Sequence, residues 1–435
     1  MKYAFVFPGQ GSQFVGMGKE LAENFNSAKE VFEEVNQALG QDLYKVMTEG
    51  PDSELTLTAN TQPALMAVSM AVTRVLEKEF NISLKDKAAF VAGHSLGEYS
   101  AACAAGVFSL SDTAKLLRIR GNAMQQAVPV GVGGMAAVLG LSYKDVGALV
   151  DACNDEAHYC VAANDNSDGQ VVLSGHIQAI EKAVEIASEF GAKRCLKLPV
   201  SAPFHSPLMQ PAAETMARAF MEVDAHNAFI PIVANVLAAP ETEKKEIIKN
   251  LIEQVTGTVR WRETMAFFGA NGVTDLVELG AGKVLSGIAK RSLKEVNSVS
   301  VCSVQEIEEL AKNLKDIAKI RREIKGLELM IHSNRKTMAT DVVSGSSDEF
   351  PYSVRHFRIE GVDQSKESAL QMRLQRKKKK LERELLKVEK YLDQIEDPEI
   401  RQIVRLRDEL GMSWNDVAAK CGSTIAAVKM KHKRF

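Results

Sequence analysis

The sequence predicts an α/β protein that carries an inserted smaller unit and an all-α extension at its C-terminal end. Three observations support this prediction. A short apolar strand, a glycine turn and an alanine-rich helix follow one another over residues 89–105. The order strand–helix–strand–strand–helix–strand follows over residues 133–198, which is typical of a ferredoxin-like unit. From about Val304 the chain becomes rich in Lys and Glu, with leucines at helical spacing.

Length and composition limit the class of protein. The chain has 435 residues, enough for two or three domains. Lys and Arg number 54 and Asp and Glu 56, so bulk charge favours neither nucleic acid nor membrane binding. The six cysteines lack the spacing of a metal site or a disulfide framework, so we expect reduced thiols and a cytoplasmic location. No stretch approaches the ~20 apolar residues of a membrane span.

The first elements predict a strand that leads into a site. Lys2–Phe7 is apolar and predicts a buried strand, and the glycine turn after it argues against a signal peptide. That turn, Pro8–Gln13, lacks the lysine of a phosphate-binding P-loop, so we expect its backbone N–H groups to face a neighbouring site. Helices are expected next at residues 19–25, 28–39, 63–78 and 111–126.

The turn at Gly93–Gly97 (Gly-His-Ser-Leu-Gly) fits the G-x-S-x-G pattern of a nucleophile elbow. Glycines two residues before and after Ser95 allow a tight turn, and the following helix directs its N–H groups at the serine. The alternative is a serine that only caps the helix. The strand before the turn and the helix after it favour the nucleophile.

The chain leaves the inserted unit through a rigid loop. A turn is expected inside the unit at Asp165–Gly169, between its two middle strands. Three prolines in Pro199–Pro207 then fix a loop that contains His205, and a histidine in a rigid loop is a good candidate for a catalytic group. The remaining strands and helices are expected at residues 232–235, 247–255, 262–271 and 274–278.

Five motifs stand in the order found in malonyl-CoA:acyl carrier protein transacylases, and the sequence resembles that family over about residues 1–303. They are Phe7–Gln13, Gly93–Glu98, Arg120-Gly121, Phe204–Ser206 and Leu279–Gly282. The resemblance implies an α/β-hydrolase-like acyltransferase core over residues 1–130 and 199–303. It also implies a ferredoxin-like small subdomain over residues 131–198.

The resemblance implies the catalytic residues. Ser95 is then the nucleophile and His205 the general base, because a serine hydroxyl is a poor nucleophile at neutral pH without an adjacent base. No Asp or Glu shortly before His205 plainly serves to orient it. The backbone carbonyl of Gln254 is the orienting group that the resemblance implies.

The resemblance also implies how substrate is held. The backbone amides of Gln10 and Leu96 resemble an oxyanion hole, and Arg120 resembles the arginine that binds the malonyl carboxylate. Phe204, like Leu96, resembles a residue of malonyl-selective members that crowds a branched 2-methyl group. The implied substrate is malonyl-CoA and the implied partner is acyl carrier protein, with no cofactor, no metal and no membrane.

The last third departs from this resemblance. We expect a helical and linker extension over residues 304–396 and a helix-turn-helix over residues 397–435, similar to the fourth-region domain of sigma factors and to phage-type regulators. The basic last helix makes DNA a candidate partner; a basic helical hairpin that binds nothing is the alternative. A serine esterase and a DNA-binding regulator are therefore the competing functions. Arg120 and the inserted unit favour acyl transfer over the esterase.

Overall fold

The computed structural model describes residues 2–200, 202–314, 338–346 and 354–362, together with Met372, Leu374, Gln375 and Cys421. The chain divides into two compact units, Met1–Ala311 and Lys312–Phe435. Among the residues described, no helix combines the length and the apolar character that crossing a membrane requires.

The first unit alternates strands and helices. Its strands are β1 (Tyr3–Phe7), β2 (Ala88–Gly93), β3 (Gly133–Leu139), β4 (Cys160–Ser167), β5 (Gln170–His176), β6 (Arg194–Lys197), β7 (Ile232–Val233), β8 (Pro240–Glu241), β9 (Asp275–Leu279) and β10 (Asn297–Val301). Its helices are α1 (Lys19–Asn24), α2 (Asn26–Leu39), α3 (Leu43–Glu49), α4 (Asp52–Leu55), α5 (Thr58–Lys78), α6 (Leu84–Lys87), α7 (Gly97–Ala104), α8 (Leu110–Gln126), α9 (Tyr143–Cys153), α10 (Ile177–Ile186), α11 (Gln210–Ala219), α12 (Lys244–Glu253), α13 (Trp261–Ala270) and α14 (Val284–Ser292).

The larger sheet has the strand order β10-β9-β1-β2-β7-β8 and is parallel except at β8. Strand β1 lies in its middle and is buried along its whole length, as expected for a parallel strand covered on both faces. Phe7 at the end of β1 pairs with Gly93 at the end of β2. The loop after β1 and the turn after β2 therefore leave the sheet side by side, at the edge where α/β proteins bind their ligands.

The smaller sheet has the order β4-β5-β3-β6, and each of its neighbouring pairs is antiparallel. Helices α9 and α10 contribute Leu149 and Ile180 to a core that also contains Val138 and Leu173 of the sheet. A single parallel bridge between Asn164 and Val259 connects β4 to the segment before α13.

The predicted starts of two helices were wrong. Helix α5 begins at Thr58, five residues before the predicted start. Thr61 lies inside the helix, and its hydroxyl donates to the Leu55 carbonyl of the preceding turn. Helix α8 begins at Leu110. Its cap is Ser109, whose Oγ accepts from the Asp112 N–H at 3.0 Å.

The predicted turn at Asp165–Gly169 was also wrong in extent. Strand β4 continues to Ser167, so polar residues that favour a turn locally lie in the strand. They are held there by distant partners, since Asp165 accepts from Arg262 and Asn166 contacts His94.

The all-α prediction for the extension was wrong at two segments. Strands β11 (Met338–Ser346) and β12 (Val354–Val362) pair antiparallel, with Met338 opposite Val362 and Ser346 opposite Val354. Serine and glycine near the end of β11 predicted a linker, whereas the β-branched and aromatic residues of both segments favour strands once they can pair. The predicted coiled-coil helix falls almost entirely outside the described residues, and so does the helix-turn-helix over residues 397–435.

Candidate active site

The site is built on the turn between β2 and α7. Ser95 has φ of 54°, in the left-handed region that L-residues rarely adopt. A side chain at Gly93 would overlap the backbone of Gly97, and one at Gly97 would overlap the Phe7 carbonyl. Both glycines are thus required by close backbone approach, and the strained turn between them holds the serine at the sheet edge.

His205 lies beside this serine. Its Nε2 is 2.7 Å from Ser95 Oγ, and its Nδ1 is 2.7 Å from the backbone carbonyl oxygen of Gln254. A carbonyl oxygen only accepts, so Nδ1 carries the hydrogen and Nε2 is free to accept from the serine hydroxyl. Burial, assisted by the nearby Arg120 charge, lowers the pKa of His205 to about 3. The imidazole is therefore neutral at neutral pH and can accept a proton.

Two backbone N–H groups are available where the loop after β1 and the turn after β2 leave the sheet side by side. The N–H of Ser95 itself donates to Asn235 Oδ1 at 2.8 Å. Within the part of the chain that the structure describes, the N–H groups of Leu96 and Gln10 donate to no protein acceptor. Gln10 lies in the loop after β1, which leaves the sheet beside the elbow. This arrangement suits an oxyanion hole, which needs two unoccupied donors next to the nucleophile.

Arg120 reaches the serine from α8. Arg120 is 1% exposed, and its Nη2 donates to Ser95 Oγ at 3.2 Å. Nη1 donates to Gln62 Oε1 at 2.9 Å, and Nη2 donates to Gln254 Oε1 at 2.8 Å. Burial lowers the pKa of Arg120. The ordinary pKa of a guanidinium is so far above neutral that the group stays charged. The site therefore contains a fixed, buried positive charge that faces the nucleophile.

The Phe204 side chain lies against the smaller sheet. It is partly buried and packs against a small apolar cluster of Met135, Ala163 and Val172 on the smaller sheet. Because it precedes His205 directly, it places an aromatic ring from the rigid loop against the inserted unit.

Asn235 and Gln62 were not predicted as residues of the site. Asn235 accepts from the Ser95 N–H and donates to the Gly93 carbonyl at 2.7 Å, so it braces both sides of the elbow. His94 Nε2 lies 2.8 Å from Asn166 Oδ1, which connects the elbow to the smaller sheet. The sequence offered one signal for such residues, which is a polar side chain within an apolar stretch, as at Gln62 in the buried helix α5.

The described residues contain no group of three His, Cys, Asp or Glu side chains that could hold a metal ion.

Comparison with known proteins shows the family of the chain. Residues 4–332 match the family of the acyl transferase domain. The malonyl CoA-acyl carrier protein transacylase of Bacillus subtilis is 44% identical over 315 residues, which are 72% of this chain and 98% of that protein. The malonyl CoA-acyl carrier protein transacylase of Escherichia coli strain K12 is 42% identical over 67% of this chain and 92% of its own length.

Solved structures give the same result. The acyl-carrier-protein-S-malonyltransferase of Bartonella henselae has a TM-score of 0.71 and 55% identity, and the match covers 72% of this chain and all of that one. A malonyl-transacylase solved in complex with a type II PKS acyl-carrier protein has a TM-score of 0.69 and 37% identity, and the match covers 72% of this chain and all of that one. The chain therefore belongs to the acyl transferase family, in the group of malonyl CoA-acyl carrier protein transacylases.

Proposed function

We propose that this protein transfers a malonyl group from malonyl-CoA to the phosphopantetheine thiol of acyl carrier protein, through a malonyl ester on Ser95, for fatty acid synthesis. The observation that carries the proposal is the position of Arg120 Nη2, 3.2 Å from Ser95 Oγ. A buried guanidinium at the nucleophile gives a carboxylate-bearing acyl group a partner, and burial of that carboxylate without one would be prohibitive.

The first half-reaction forms the ester. Ser95 Oγ attacks the thioester carbonyl while His205 Nε2 takes the hydroxyl proton, and the N–H groups of Gln10 and Leu96 stabilise the oxyanion. The tetrahedral intermediate then collapses. The carbon–sulfur bond breaks, and the coenzyme A sulfur leaves with the proton that His205 held.

The second half-reaction reverses these roles. The thiol of acyl carrier protein gives its proton to His205 Nε2, and its sulfur attacks the malonyl ester. The bond between the acyl carbon and Ser95 Oγ breaks, and the proton returns to the serine. The carbonyl of Gln254 holds the imidazole in the same tautomer throughout, since Nδ1 keeps its hydrogen.

Phe204 and Leu96 are proposed to limit the acyl group to malonyl. Each is adjacent in sequence to a catalytic residue, Leu96 after the nucleophile and Phe204 before the base. In this proposal the two side chains border the acyl group from either side of the Ser95–His205 pair and leave no room for a branched 2-methyl group.

The finer division of the chain belongs to the same proposal. We infer an acyltransferase core over residues 1–130 and 199–303 and a ferredoxin-like subdomain over residues 131–198, which the strand order β4-β5-β3-β6 supports. The helix-turn-helix with DNA as partner, and the cytoplasmic location, stay predictions. Nothing in the comparisons favours a DNA-binding regulator or a serine esterase.

Transfer and hydrolysis can be separated in one assay. Purified protein is incubated with malonyl-CoA, with and without acyl carrier protein that carries its phosphopantetheine arm. We expect malonyl-acyl carrier protein to form and little free malonate to appear. Free malonate at the same rate with or without the carrier protein would instead indicate an esterase and overturn the proposal.

A further inference from the structure

Glu98 is a buried carboxylate that the reaction does not use directly. It lies in the first turn of α7, three residues after the nucleophile, and is 2% exposed. One oxygen, Oε2, accepts from the Asn235 N–H at 3.2 Å and from Gln254 Nε2 at 2.7 Å. Within the described residues Glu98 makes no direct ion pair, and burial raises the pKa of its carboxyl to about 7, although the hydrogen bonds from Gln254 and Asn235 and the nearby Arg120 charge favour the charged form. A buried charge of this kind is costly, so its presence needs a physical reason.

The reason lies in the orientation of the Gln254 amide. Its Nε2 donates to Glu98 Oε2 and to the Ser95 carbonyl at 2.9 Å. A carboxylate and a carbonyl only accept, so the amide nitrogen must face them. The amide oxygen then faces Arg120, where it accepts from Nη2 at 2.8 Å. With a carboxylate on one side and a guanidinium on the other, only this amide orientation satisfies both neighbours.

This arrangement holds Arg120 without neutralising it. The guanidinium is fixed by two neutral amide oxygens, from Gln254 and Gln62. A carboxylate in direct contact would form a salt bridge and compete with the carboxylate of an acyl group. Glu98 instead acts from the far side of the Gln254 amide. From there it offsets part of the cost of burying the cation and leaves the Arg120 N–H groups near Ser95 available for an acyl carboxylate.

We propose that Glu98 is a positioning residue for malonyl selection, which fixes the Gln254 amide so that its oxygen holds Arg120 at the nucleophile. This proposal rests on the proposed malonyl transfer. An isosteric amide in place of Glu98 can present an NH2 group to Gln254, which leaves the Ser95 carbonyl to hold the Gln254 amide nitrogen without the carboxylate. The amide orientation is then less strongly fixed, and each turn of the amide brings its nitrogen to the guanidinium, where two donors repel each other.

The test is the ratio of the acylation rates with malonyl-CoA and acetyl-CoA. Both rates are measured in single turnover by intact-protein mass spectrometry. In Glu98→Gln we expect the malonyl-to-acetyl ratio to fall about tenfold or more, the size of one lost hydrogen bond to a charged group. We expect KM for malonyl-CoA to rise by a larger factor than kcat falls. Glu98→Asp, which keeps the charge, should recover part of the ratio.

Glu278→Gln is the matched control. Glu278 is also a fully buried carboxylate and accepts from two backbone N–H groups, those of Leu285 and Ser286, but it contacts neither Gln254 nor Arg120. Its replacement should lower stability and leave the ratio as in wild type. An unchanged ratio in Glu98→Gln, or an equal fall in Glu278→Gln, would overturn the proposal.

A second variant keeps the test valid where Glu98→Gln does not fold. Gln254→Met removes the amide but keeps both the backbone carbonyl for His205 and the Glu98 carboxylate. It should lower the malonyl-to-acetyl ratio to a similar extent, and a wild-type ratio would contradict the positioning role. Failure of wild-type protein to accept malonyl on Ser95 would count against the proposed function itself, which is a separate outcome.

Discussion

His205 Nδ1 lies 2.7 Å from the backbone carbonyl oxygen of Gln254, so a peptide group and not a carboxylate orients the imidazole. In the usual serine triad a buried aspartate holds the histidine and stabilises the imidazolium that forms. Here the positive charge of Arg120 is already present in the site, and the lowered pKa of His205 keeps the base neutral before reaction. The orienting residue can be changed without loss of its carbonyl, because every amino acid supplies one.

Replacement of the base should slow acylation. His205→Ala leaves Ser95 Oγ without an acceptor for its proton, and we expect acylation by malonyl-CoA to fall by roughly two to four decades. Rapid-quench measurement of the acyl-enzyme gives the rate. The exposed histidine in His226→Ala serves as the control and should behave as wild type. A His205→Ala rate within about threefold of wild type would mean that another base operates.

Arg120 should discriminate between acyl groups. Loss of one partner of a buried charge pair typically costs ~2–5 kcal/mol, so Arg120→Ala should lose roughly 30-fold to several thousand-fold in kcat/KM for malonyl-CoA. Acetyl transfer should change little, since acetyl has no carboxylate. Arg118→Ala, two residues away on α8 and half-buried, is the control. Equal losses for both thioesters in Arg120→Ala would make the arginine structural.

Glu98 should also make stability depend on pH. Burial raises its pKa from 4.5 to about 7, so between these values the folded chain holds a proton that the unfolded chain releases. Its contribution to stability therefore increases as pH falls from about 8 to about 5.

The difference in the free energy of unfolding between wild type and Glu98→Gln isolates this contribution. It should shift in favour of wild type at the lower pH by on the order of 2 kcal/mol. The lowered pKa of His205 acts in the opposite direction, but it is common to both proteins and cancels. Chemical denaturation at the two pH values provides the measurement, and a difference that does not vary with pH would contradict the assignment.

The ion pair of Arg262 with Asp165 should stabilise the contact between α13 and β4. Asp165 is 1% exposed, whereas Arg262 is 37% exposed, so the aspartate would be left buried and unpaired in Arg262→Ala. We expect a loss of about 2 kcal/mol in the free energy of unfolding, less than for a fully buried pair. Arg260→Ala breaks the more exposed pair with Glu263 and should cost about 1 kcal/mol or less. Equal losses would contradict this ranking.

The elements near the nucleophile were predictable because their signals are local. The glycine spacing around Ser95 reports a backbone constraint that any side chain would violate, and the three prolines of the loop at His205 report rigidity. The order of strands and helices in the first unit follows from apolar patterns of the same short range.

The polar contacts of the site were less predictable because their partners are far apart in sequence. Asn166 lies in a segment whose composition predicts a turn, and only its contact with His94, 72 residues away, explains its place in a strand. Gln254 was expected to act through its carbonyl alone. Its side chain contacts Arg120 and Glu98, which come from α8 and α7, and no pattern near residue 254 reveals either partner.

The most direct test of the account is a pulse and chase at Ser95. The protein is mixed with malonyl-CoA, and intact and peptide mass spectrometry locate the adduct before and after acyl carrier protein is added. We expect one malonyl group on the peptide that contains Ser95, its complete discharge by the carrier protein, and no adduct in Ser95→Ala. Ser100→Ala, which replaces a buried serine of α7, the helix that follows the elbow, should label normally. Malonyl on another residue, or an adduct that the carrier protein does not remove, would contradict the account.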